Sequence, residues 1–95
     1  MSPNRRREQI RRQLADALEH VEAELTKCRC GQDAIDSEQR LVIVAEGLEM
    51  MLSSLTQPTR PEPPGLWRIV TDTWPYDSPL ARKVVDAEYA YQRLE

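Results

Sequence analysis

Apolar residues recur through the first third of the chain at Ile10, Leu14, Leu18, Val21, Leu25 and Cys28, in steps of three and four. That spacing draws one stripe on an α-helix, close to the 3.5-residue repeat of a coiled-coil seam. Ser2-Pro3 reads as a helix entry, with Ser as N-cap and Pro at the first helical position. Gly31 supplies the left-handed residue that ends it. The pattern predicts a first helix over residues 4–30. A second stripe, Leu41, Val44, Ala45, Leu48, Met51, Leu52 and Leu55, predicts a helix over 33–55 with Asp33 as its cap. Ile43, Gly47 and Met50 fall almost opposite that stripe, so this helix carries two apolar faces and is expected at the centre of the fold. Gly47 costs about 1 kcal/mol relative to Ala in mid-helix. Close approach of another backbone would explain it.

The periodicity then breaks. Four of residues 58–64 are proline, a density that forbids helix and favours extended polyproline II. Leu66 to Trp74, "LWRIVTDTW", alternates weakly, and with no sheet to join it is expected as loop or at most a bridge. Ser78-Pro79 repeats the entry signal, and Leu80, Val84, Ala87, Tyr91 and Leu94 predict a third helix over 79–94. The short turn between the first two helices makes them antiparallel neighbours. The expected fold is therefore all-α and a single domain over 1–95. It comprises an antiparallel helical hairpin plus a C-terminal helix, joined by a Pro/Trp-rich connector over 56–78, in a small three-helix bundle.

Composition limits how large the core can be. The 95 residues are 40% hydrophobic and contain no Phe, so Leu, Val, Ile, Met and Ala must fill most of the interior. A core that thin is expected to gain from a larger protein partner or from a second copy in a homodimer. No apolar run approaches the roughly 20 residues of a membrane span. The N-terminal arginines have no apolar stretch behind them, which argues against a secretory signal. Two cysteines do not make a disulfide framework, and a reduced, cytoplasmic protein is expected.

Charge adds one candidate surface. Residues 1–12 hold Arg5, Arg6, Arg7, Arg11 and Arg12 against Glu8 alone, while residues 13–95 carry eight basic and fifteen acidic groups. A basic arm on an acidic body suits an acidic partner or a phosphate backbone. No aromatic residue is interleaved with the arginines and no DNA-binding signature is present, so nucleic acid is the second expectation. It would make the chain a dimeric regulator gripping phosphates through this arm.

Catalytic chemistry finds little footing. The single histidine, His20, lies among Glu19, Glu22 and Glu24 on a helix surface, and the three glycines are isolated rather than grouped in a phosphate loop. Cys28 and Cys30 stand two apart at a helix end and point to different sides, and zinc would need two further ligands. The chain is expected to be non-enzymatic, with no metal and no cofactor.

The connector concentrates the recognition chemistry. Trp67, Trp74 and Tyr76 lie within ten residues. They have two uses: sealing a thin core, or forming an interface of the aromatic and Arg residues that dominate binding hot spots. The candidate partner-binding set is Trp67, Arg68, Trp74 and Tyr76, joined by Val85 and Tyr89 on the outer face of the third helix. The tail Tyr91 to Glu95 resembles the Tyr-x-x-x-Asp/Glu signal of small helical-hairpin proteins exported by type VII secretion. The turn here reads Cys30-Gly31-Gln32-Asp33 where that family has Trp-x-Gly, and no family is assigned. The leading expectation is a small interaction protein, an adaptor, inhibitor or assembly subunit, that occludes or bridges a partner surface.

Overall fold

In a computed structural model, which describes residues 3–57, 62–75 and 77–93, the first stripe folds as α1 (Pro3–Arg29). Gly31, at φ 76°, terminates it. The Gln32 N–H donates to the Lys27 carbonyl at 2.8 Å and the Gly31 N–H to the Cys28 carbonyl at 3.1 Å. These two bonds are a Schellman closure, which satisfies the last carbonyls of the helix. Lys27 and Arg29 in the final turn suit its negative end.

The second helix, α2 (Glu38–Ser54), starts five residues later than expected. Its cap is Ser37, whose hydroxyl accepts the Arg40 N–H at 3.4 Å, and not Asp33. The intervening residues are held as a loop because the Ile35 N–H donates across to the Glu24 carboxylate at 2.8 Å. Arg29 meets Glu38 at 3.0 Å, closing the corner between the two helices.

The connector corrects the expected loop. Residues Leu66–Thr73 form a helix, α3, so the bundle has four helices among the described residues where three were expected. Leu66, Ile69, Val70 and Trp74 occur at helical rather than alternating spacing, and that apolar stripe faces the core. The last helix, α4 (Pro79–Gln92), begins as the sequence indicates. The Ser78 hydroxyl accepts the Ala81 N–H at 3.2 Å, and Pro79 occupies the first turn.

The expected centre also changes. α1 packs along both α2 and α4, which barely touch one another, so α1 and not α2 is the shared helix. α4 runs antiparallel to α1: Lys83 near its start reaches Asp16 at 2.6 Å, while Tyr89 and Arg93 near its end lie beside Arg6 and Gln9. α3 packs on α4 and touches α2. The molecule measures 45 × 23 × 21 Å, a length set by the 27-residue α1, which rises about 40 Å.

The seams supply the core almost as spaced. Ile10, Leu14, Val21 and Leu25 of α1 are buried, with Ala17 the fully enclosed neighbour of a half-buried Leu18. On α2 the main stripe is buried apart from a half-buried Leu52, but the second face is covered only locally. Ile43 remains 44% exposed and Met50 half-buried. Gly47 is the exception, buried beneath Leu66 and Pro64. A Cβ at position 47 would meet the Leu66 methyls at 2.8 and 3.0 Å and the Pro64 ring at 3.1 Å. The glycine therefore seats two side chains of the connector, not another backbone.

Gly47→Val should force Leu66 out of that seat. We expect a loss of about 1–3 kcal/mol in urea unfolding, the usual range for overpacking, despite the better helix propensity of Val. Gly47→Ala should lose less, because one methyl can be met by a shift of the Leu66 tip.

Candidate interaction surface

The surface is built on α3, an eight-residue helix too short to be stable alone. Gly65 precedes it and has no side chain to cap the exposed N–H groups. The cap comes instead from α4. Glu88 is 1% exposed, and its carboxylate accepts the Leu66 N–H at 2.9 Å and the Trp67 N–H at 3.0 Å. A carboxylate at this position also meets the positive end of the helix dipole.

A second carboxylate secures the other end. Asp36 accepts the Trp74 indole N–H at 2.9 Å and can accept the Thr73 hydroxyl at 3.3 Å on the same oxygen. Its other oxygen takes the Ser37 N–H at 2.7 Å and Arg40 at 3.3 Å. Burial alone would raise the Asp36 pKa. The Ser37 N–H, the Trp74 indole and the Arg40 guanidinium together outweigh it and hold the carboxyl below the ordinary aspartate range.

With both ends secured, the two tryptophans take opposite roles. Trp74 is 5% exposed and belongs to the core, so it offers no surface for docking. Trp67 is 46% exposed, and the Arg68 guanidinium lies over its ring, 5.2 Å from the centroid. A shallow depression of about 370 Å³ beside it is lined by Glu62, Pro63, Gly65, Trp67 and Gln92. On α4, Tyr89 is 57% exposed with Arg93 stacked 5.4 Å from its ring centroid. Val85 is half-buried and packs against the core, which leaves only part of its side chain facing outward. Tyr76 lies outside the described residues.

The arginine arm divides as well. Glu8 draws in Arg11 at 3.0 Å and Arg12 at 3.6 Å, and its carboxyl sits below its usual range chiefly through the hydrogen bond from Arg11. Arg5, Arg6 and Arg7 are exposed and have no ion pair among the described residues. Arg6 lines a groove of about 460 Å³ between α1 and α4, together with Gln9, Ile10, Gln13, Asp86, Tyr89, Ala90 and Arg93. The antiparallel α4 brings its negative end to the N-terminus of α1, which offsets the repulsion that α1's own dipole imposes on these arginines.

The remaining polar chemistry is local. The Cys28 thiol donates to the Asp36 carbonyl at 3.3 Å and Cys30 is exposed, both free. His20 is exposed, with Nδ1 at 2.8 Å from the Asp16 carbonyl. Among the described residues no group of three His, Cys, Asp or Glu could hold a metal, and no helix is long and apolar enough to cross a membrane.

Glu88 and Asp36, which position this surface, were absent from the sequence-derived site. Glu88 had a signal: it falls four after Val84 and three before Tyr91, on the buried side of the α4 seam. Asp36 had none beyond its place among cap-type residues, because its partner Trp74 is 38 positions away. Comparison with protein-family models, characterised proteins and solved structures finds no match to this chain.

Four substitutions separate the roles. Trp74→Ala should cost about 3–5 kcal/mol, the range for emptying an aromatic core site, whereas Trp67→Ala should change stability by less than about 1 kcal/mol. Both are read by urea unfolding followed by circular dichroism. Glu88→Ala, which strands two N–H groups, should cost about 2–4 kcal/mol. Asp36 has a lowered pKa in the folded state, so its contribution is full above the unfolded-state value of about 3.9 and disappears as pH falls through the folded-state value. Stability measured from pH 6 downward should therefore decline less steeply in Asp36→Asn, from a lower starting point.

Proposed function

We propose that this chain is a non-enzymatic helical interaction protein, an adaptor, inhibitor or assembly subunit, that bridges or occludes a surface of a larger protein. The observation that carries this reading is Trp67. It stands half-exposed on a short helix clamped at both ends, with Arg68 stacked on its ring. An exposed Trp on a rigid element loses little entropy on docking, and Trp and Arg are the residue types that concentrate binding energy. Tyr89 with Arg93 repeats the pairing on the neighbouring helix. The free thiols suit a reducing, cytoplasmic setting.

The test is a pull-down from host lysate with the tagged full chain, with and without nuclease, beside Trp67→Ala. A protein retained after nuclease and lost with Trp67→Ala, at unchanged helicity, is the expected result. Nuclease-sensitive recovery that ignores Trp67 would overturn it and favour the nucleic-acid reading of Arg5, Arg6, Arg7, Arg11 and Arg12.

A further inference from the structure

The groove between the start of α1 and the end of α4 lies apart from the Trp67 depression and differs in chemistry. Its floor includes Ile10, which is buried, and its rims carry Arg6 from one helix and Arg93 from the other. Gln9 and Gln13 add amide donors and acceptors along the α1 side, and the Tyr89 ring stands exposed on the α4 side. We infer that this groove binds an acidic, extended peptide segment of a protein partner, with carboxylates on Arg6 and Arg93 and the peptide backbone on the two glutamines. The inference rests on the interaction-protein reading but assigns a second surface and the chemistry of its occupant.

Charge complementarity selects the occupant. Arg6 faces the groove without an ion pair among the described residues, and Arg5 and Arg7 extend the positive field beside it. A carboxylate matches a guanidinium through two parallel hydrogen bonds. A nucleic-acid backbone fits less well. Asp86 lines the same groove and repels phosphate. Glu8 engages both Arg11 and Arg12, the residues that would continue a phosphate-binding track along α1, and offsets one of their two charges. A peptide with acidic residues spaced apart can place a neutral position opposite Asp86, which a uniform chain of phosphates cannot.

The experiment pans a random peptide library displayed on phage against the immobilised full chain, in parallel with Arg6→Gln/Arg93→Gln, Asp86→Asn and Trp67→Ala. The expected result is enrichment of peptides bearing two or more Asp or Glu. Their binding should fall at least about tenfold on the double arginine variant, rise severalfold on Asp86→Asn and stay unchanged on Trp67→Ala. The gain on Asp86→Asn cannot come from misfolding. Peptides without acidic enrichment, or acidic peptides indifferent to Arg6, Arg93 and Asp86, would overturn the inference. So would arginine-dependent retention of a labelled single-stranded DNA in the absence of acidic peptide binding. Loss of the lysate partner's dependence on Trp67, with acidic peptides still held here, would instead sink the Trp67 surface and leave the groove standing.

Discussion

The carboxylate of Glu88 beneath the first turn of α3 is the interaction on which this fold turns. An eight-residue segment following a proline-rich stretch has no claim to helicity by itself, because nucleation costs more than so few hydrogen bonds return. Two of its orphan N–H groups end on one buried side chain from α4. That contact fixes where α3 begins and how it is rotated. The rotation then decides that Leu66 and Val70 turn inward and Trp67 outward. Gly47 completes the placement by leaving a hollow in α2 just deep enough for Leu66.

Placing α3 also solves the shortage of bulk in the core. With no Phe in the chain, the seams of α1, α2 and α4 are built from Leu, Val, Ala, Ile and Met, with Tyr91 the one aromatic buried from them. α3 adds Leu66, Val70 and Trp74 where α2 and α4 barely meet. The indole N–H of Trp74 needs an acceptor when buried, and Asp36 supplies one from the loop before α2. That bond ties the α1–α2 corner to the end of α3, so the two carboxylates bracket the helix and couple it to both halves of the bundle.

Periodicity made the long helices legible, and local chemistry made their ends legible where the caps are close in sequence. Gly31 and Ser78-Pro79 act within a turn of the helices they limit. Ser37 displaced Asp33 because Glu24 captures the Ile35 N–H, an effect arising eleven residues upstream. α3 was hidden for the same reason at longer range: its cap lies 22 residues away, and the prolines on either side of it and its own β-branched residues read locally as extended chain. The opposing roles of Trp67 and Trp74 follow from the orientation of α3: Trp74 continues the stripe of Leu66 and Val70 at steps of four and Trp67 falls beside it, a reading that opens only once the segment is taken as helix. The arginines show the converse limit. Their sequence spacing suggests one continuous basic arm, but a single glutamate at position 8 divides it into a paired half and an open half.

The open half matters because of what α4 brings to it. The last turn of α4 touches both candidate surfaces: Gln92 borders the depression beside Trp67, while Tyr89 and Arg93 border the groove with Arg6. Tyr89 and Gln92 stand within one turn of α4, so the helix holds the two surfaces at a fixed spacing. Glu88 lies in that same turn on its buried side, so the residue that orients Trp67 also fixes its spacing from the arginines. Rigidity in the core and geometry at the surface thus come from one segment of α4.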